Sequence, residues 1–228
     1  MNETIIRLKL VRQRINNACN DAGREPNEVS LLAVSKRHPA KSLLTLNQLG
    51  VSNFGENQLQ EALLKQQQLS KLDLEWHFIG TIQSNKTGPI AEHFQWVQSV
   101  DRSRVLNRLA AQRPATLDPL NICLQVNIDG ESQKAGAPAE QIFELASLAE
   151  GFENIKLRGL MVIPEMSTDP VRQRDSFRRT RMLFLQLIEA GHQLDTLSMG
   201  MSSDLEIAIA EGSTMVRIGT DLFGPRET

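Results

Sequence analysis

Short apolar segments alternate with longer amphipathic ones along this 228-residue chain, and that rhythm constrains its fold more than any other feature. The strand-like segments are 30–36, 53–57, 76–80, 96–100, 121–128, 157–163, 196–201 and 215–220. Helical patterns fill 39–49, 58–72, a short stretch from Pro89, 101–112 with Asp101 as N-cap, 138–149, 170–190 and 203–211. Each return between parallel strands needs a crossover, so the alternation predicts a parallel sheet with helices outside it. Eight repeats predict one α/β domain over 1–228, a closed TIM-type (β/α)8 barrel, with an open sheet as the alternative. Ile5, Leu8, Val11, Ile15 and Ala18 recur at helical spacing and predict an extra N-terminal helix that covers the core.

Composition narrows the function. The chain carries 25 Lys+Arg against 27 Asp+Glu, a formal net charge of -2, which argues against a nucleic-acid binder. The arginine cluster at 171–182 has no interleaved stacking aromatics and lies among acids, so it is expected to be a solvated helix face. No run is long and apolar enough for a membrane span or a signal peptide. Cys19 and Cys123 are too few and too scattered for a disulfide framework or a metal cluster. No metal is expected, both cysteines should be buried, and a reduced, cytoplasmic setting fits them.

A barrel of this kind places its active site where the strands end. Lys36 follows the apolar run Leu31-Leu32-Ala33-Val34-Ser35, so it either enters the barrel mouth or snorkels out to the rim. Inside the mouth its amine would be desolvated and set to attack an aldehyde. After the seventh and eighth strands stand Ser202, Gly219 and Thr220, the small hydrogen-bonding residues that a phosphate cradle needs; ordinary helix capping by Ser203 and Asp204 is the alternative. A reactive lysine beside a phosphate cradle describes a site for a phosphorylated aldehyde. Arg217 lies within the apolar eighth strand, which makes it either half of a structural ion pair or a group facing a cofactor's pyridine nitrogen.

These segments together resemble the pyridoxal phosphate homeostasis proteins, which are similar to the N-terminal domain of alanine racemase. The resemblance is carried by LLAVSK with Lys36, FGEN with Asn57, WHFIGTIQSNK (76–86), LRGLMVIP (157–164), LSMGMSSD (197–204) and MVRIGTDLFG (215–224), in order along nearly the whole chain. It implies a barrel like that of the fold type III group of pyridoxal phosphate (PLP) proteins, with PLP held as a Schiff base on Lys36. It implies that Arg217 faces the pyridine nitrogen, that Ser202, Gly219 and Thr220 hold the phosphate, and that Asn57 lines the pocket. The implied role is to buffer PLP or deliver it to PLP-dependent apoenzymes inside the cell, with no catalytic residue and no established turnover.

The chain departs from the family's pattern at Arg37-His38, where Thr-Lys is usual, and at Gln58, where Tyr is common. Lys134, in the loop after the fifth strand, is a candidate secondary contact for the cofactor, with a solvated loop lysine as the commoner alternative. An amino-acid racemase is the alternative function, but it needs a proton acceptor on each face of its substrate. The chain contains no tyrosine, and His77, His93 and His192 are expected to be core or rim residues. A lysine-dependent aldolase would need a carboxylate near Lys36, and Glu56 stands at a strand end. Without a second domain the racemase route to a dimer is closed, so a monomer is expected.

Overall fold

A computed structural model describes residues 2–131 and 133–224. Eight parallel strands close into a barrel in chain order: β1 (Ser30–Val34), β2 (Asn53–Glu56), β3 (Glu75–Phe78), β4 (Trp96–Val100), β5 (Leu120–Val126), β6 (Ile155–Val162), β7 (Thr196–Ser198) and β8 (Met215–Ile218). Closure is made by β8 against β1, with Leu32 opposite Arg217 and Ala33 opposite Ile218. The crossovers are α2 (Ala40–Asn47), α3 (Leu59–Gln68), α4 (Thr87–His93), α5 (Ser103–Gln112), α6 (Ile142–Glu150), α7 (Pro170–Glu189) and α8 (Leu205–Ala210). The helix α1 (Asn2–Asp21) precedes the barrel, and the short α9 (Thr220–Phe223) follows it. No helix among the described residues is long and apolar enough to cross a membrane.

Strand alternation divides the side chains into two sets. Ala33, Phe54, Val97, Ile122, Leu124, Leu160 and Val162 point outward and join the apolar layer beneath the helices. Trp96, Cys123 and Met161, each one residue off that outer set, pack separately inside the barrel. The missing side chain of Gly55 leaves room there for Leu32 and Ile79, because a Cβ would sit 3.2 Å from Ile79 and 3.3 Å from Leu32. Cys19 and Cys123 are both buried and unbridged, as their usage predicts.

The helix α1 lies over α8 and α9, burying Leu8, Val11, Ile15, Ala18 and Cys19. The arginine cluster on α7 faces solvent and is spent on acids: Arg174 on Glu211, Arg178 on Asp175, and Arg179 on Asp129 and Asp175.

Several boundaries differ from the sequence expectations. Asp101 is not an N-cap; Arg102 holds that position, and the Asp101 carboxylate pairs with the Arg102 guanidinium instead. The helix α4 starts at Thr87, with Pro89 in a first turn whose N–H groups need no intrahelical acceptor. The seventh strand stops at Ser198, because Gly200 turns the chain with φ 93. The eighth strand stops at Ile218, and Thr220 opens α9, a helix the apolar pattern did not reveal.

Candidate functional site

At the C-terminal ends of the strands the barrel opens into a cavity of 750 Å³. Val34 and Lys36 reach it from β1 and the turn beyond, Asn57 from the end of β2, Gly80 and Thr81 from the end of β3, and Gln125 from β5. Arg217 lies at its floor, while Ser202, Ser203, Gly219, Thr220 and Asp221 line one wall. All six residues singled out for cofactor binding (Lys36, Asn57, Ser202, Arg217, Gly219 and Thr220) therefore share one cavity, together with Lys134.

Lys36 arrives there by parity. Val34 points inward and Ser35 outward, so Lys36 continues the inward set although it already lies in the turn after β1. That turn is braced from outside the barrel. Ser35 Oγ donates to Glu56 Oε1 at 2.6 Å, and Lys65 Nζ of α3 donates to Ser35 O, Glu56 Oε1 and Glu61 Oε1 at 2.6–2.7 Å. Glu61 also accepts the Arg37 N–H at 2.5 Å, and Arg37 stands in the left-handed region at φ 65. A non-glycine residue there is strained, so the network anchors the turn where the chain most resists it. Glu56 consequently faces α3 and not the cavity, so it is not the carboxylate that an aldolase would need beside Lys36. Burial pushes the Glu56 carboxyl up, with Lys65 pulling against it.

On the opposite wall Ser202 precedes α8 and Gly219 precedes α9. The helix α8 begins at Leu205 with Asp204 as its N-cap residue, and Asp204 Oδ1 accepts the Met201 N–H at 2.6 Å. Ser203 lies one residue before that cap and lines the cavity, so capping does not consume it. Arg14 of α1 ties this wall together: its guanidinium donates to Ser202 O, to Asp221 Oδ2 and to both Glu206 oxygens at 2.5–2.9 Å. In the sequence Arg14 stands out in no motif; it is one of several basic residues on α1. Its reach to residues 202–221 is a tertiary fact.

Arg217 is 4% exposed. Nη1 donates to Ser198 O at 2.7 Å and to Ser198 Oγ at 2.8 Å, and Nη2 donates to Val162 O at 2.8 Å. Among the described residues no carboxylate forms an ion pair with it, which removes the structural ion-pair alternative. Burial pushes its pKa down to about 10, with Asp204 opposing, so it remains charged at neutral pH.

The loop after β5 closes over another side. Asn127 Nδ2 donates to Glu131 O at 2.8 Å, and Lys134 pairs with Glu131 and donates to Pro164 O at 3.0 Å. Ser132 of this loop lies outside the described residues. Gly80 permits a further close approach, since a Cβ there would stand 2.3 Å from Asn57 O.

His38 also lines the cavity, its ring stacked on Phe223 at 4.6 Å between centroids. His38 is a cavity histidine beyond the three considered from the sequence, and its position two residues after Lys36 is the signal that points to it. His77 lies buried inside the barrel, His192 pairs with Glu150, and His93 sits at the end of α4.

Comparisons with known proteins show the family and the fold. The family model described as alanine racemase, N-terminal domain, matches residues 6–227. A pyridoxal phosphate homeostasis protein of Pseudomonas aeruginosa is 55% identical over 217 residues, covering 95% of this chain and 93% of that protein. This chain belongs to the pyridoxal phosphate homeostasis protein family. Another member, from Escherichia coli K12, is 45% identical over 230 residues and covers 100% of this chain and 98% of its own. Among solved structures, PipY of Synechococcus elongatus with PLP bound superposes with a TM-score of 0.81 at 37% identity, over 94% of this chain and 100% of that one.

Proposed function

We propose that this family member binds PLP as a Schiff base on Lys36 and buffers it or delivers it to PLP-dependent apoenzymes. The observation that carries the reading is the meeting of Lys36, Arg217 and the Ser202–Thr220 wall in one cavity. The donor set fits the group: an amine for the aldehyde, a charged guanidinium for the pyridine nitrogen, and hydroxyl and backbone N–H donors for the phosphate. PLP supplies the aldehyde, which condenses with the Lys36 amine and releases water.

In this reading Ser202, Gly219 and Thr220 hold the phosphate, Asn57 lines the pocket beside the amine, and Lys134 is a secondary contact. Arg217 keeps the ring nitrogen unprotonated, because a permanently charged donor leaves no room for a second proton there. That makes the ring a weak electron sink and favours carriage over turnover. The racemase reading has less support. Lys36 and His38, which both line the cavity, come from the same turn, and no tyrosine exists to face them. A cytoplasmic monomer of one domain is part of the proposal; buried unbridged cysteines support the reduced setting.

Borohydride reduction of the PLP-loaded protein, followed by peptide mass analysis, tests the anchor. The expected result is one modified peptide, containing Lys36. Modification spread over surface lysines, or none at all, would overturn it. Loss of Arg14 should act on the phosphate end alone. Arg14→Ala leaves the Asp221 carboxylate uncompensated beside the cradle and should weaken PLP binding about tenfold, while the affinity for pyridoxal, which lacks the phosphate, stays unchanged. Titrating both ligands by absorbance checks this.

A further inference from the structure

Beneath the cavity floor the barrel interior holds polar side chains where such barrels ordinarily pack branched aliphatics. Arg217 on β8, Ser198 on β7, Gln98 on β4 and His77 on β3 are all buried, and Glu75 at the other end of β3 is partly exposed. They form one continuous row. Arg217 Nη1 lies 2.8 Å from Ser198 Oγ, which lies 2.7 Å from Gln98 Oε1. Gln98 Nε2 is 2.9 Å from His77 Nδ1, and His77 Nε2 is 3.1 Å from Glu75 Oε1.

The two ends determine the direction of the row. Arginine only donates, and an ionised glutamate only accepts. The hydrogen bond from His77 holds the Glu75 carboxyl below its usual range, with the charge of Arg158 helping. Burial pushes the His77 imidazole down, so at neutral pH it is neutral and carries a single N–H. Glu75 takes that N–H at Nε2, which leaves Nδ1 as a lone pair that receives the Gln98 amide. Gln98 then presents its oxygen to Ser198, whose hydroxyl proton goes to it, and the Ser198 oxygen accepts from Arg217. Every group donates to the next, from the cavity floor to the far mouth, and such alignment in a low dielectric strengthens each bond. At the far mouth His77 stacks on Trp96, and Arg158 lies over the other ring of that pair while bonding Asp195.

We infer that Ser198, Gln98 and His77 are positioning residues for Arg217, and that the Glu75 carboxylate sets the direction of the row that holds the guanidinium against the cavity floor. The inference rests on Arg217 being the group that faces the pyridine nitrogen. In the reversed row, Ser198 would receive donors from both Gln98 and Arg217 and would need a new acceptor for its own proton. Glu75→Gln permits that reversal without emptying the site, because an amide both donates and accepts.

The test reads the His77 ring by 15N NMR in cofactor-free protein, and then the visible spectrum and affinity with added PLP. The wild type should show the Nε2–H tautomer alone, and Glu75→Gln a mixture with Nδ1–H. Gln98→Met, similar in shape but unable to continue the row, should bind PLP about tenfold more weakly with a shifted imine band. Thermal melts of both variants separate this from a loss of fold, and Glu75→Gln keeps the test open if Gln98→Met does not fold. An Nδ1–H tautomer or an imidazolium in the wild type would overturn the inference, as would unchanged tautomer, affinity and band in Glu75→Gln. A wild type that forms no imine overturns the functional reading and Arg217's part in this one, whereas the tautomer still decides the direction of the row.

Discussion

Lys65→Met is expected to lower the unfolding free energy by about 3–5 kcal/mol, the cost of removing one partner from a buried ion pair. Lys65 is 5% exposed and Glu56 is fully buried, so no water replaces the lost ammonium. Its three N–H donors are all used, on Ser35 O, Glu56 and Glu61. Urea unfolding at several pH values measures the effect. Burial already holds the folded-state Glu56 carboxyl above its ordinary value, and loss of Lys65 removes the main opposition. A carboxyl raised on folding contributes stability that is present below its unfolded pKa and lost as pH rises through its folded pKa. The deficit of Lys65→Met should therefore be largest at neutral pH and shrink on acidification. Adding Glu56→Gln should recover part of it, giving a non-additive double-mutant cycle. A deficit independent of pH, or fully additive variants, would show that the pair is not the source of the loss. The same variant releases the turn that carries Lys36, so PLP should also form its imine more slowly.

Lys36→Ala has the second large effect: the imine band should vanish altogether. Lys134 lines the same cavity, but it is committed to Glu131 and the Pro164 carbonyl and stands on a different loop. It is therefore not expected to take over as anchor. Noncovalent PLP should still compete with inorganic phosphate for the Ser202–Thr220 wall, because that wall does not involve Lys36. The check is the visible spectrum of the variant with PLP, followed by phosphate competition. A retained imine band would move the anchor to another lysine, and loss of phosphate-competable binding would separate the cradle from the cofactor.

Local periodicity determined much of this protein. The alternation of apolar strands with amphipathic helices specified eight parallel strands, because period-2 and period-3.6 patterns are written in neighbouring residues. Closure of the sheet into a barrel was decided in space, by β8 against β1. The same period-2 parity sends Val34, Lys36 and, on β8, Arg217 inward, and the small residues at 202, 219 and 220 stand at strand ends by simple count. Strand-end position made these residues candidates, while the family resemblance implied their roles and that of Asn57. Tertiary structure alone decided which charges meet. Lys65 reads as a solvated helix lysine until α3 docks over the Ser35 turn, and Arg14 reads as a polar face of α1 until that helix lies across residues 202–221. Glu56 stands at a strand end, yet its parity turns it toward α3. The row from Arg217 to Glu75 joins β3, β4, β7 and β8, strands up to 142 residues apart in the numbering of its two ends, and exists only once the barrel closes. Burial makes the pairings of Lys65, Glu56 and Arg217 costly to leave unmade. Which partner satisfies which group is settled by closure in space, and no pattern of adjacent residues encodes it.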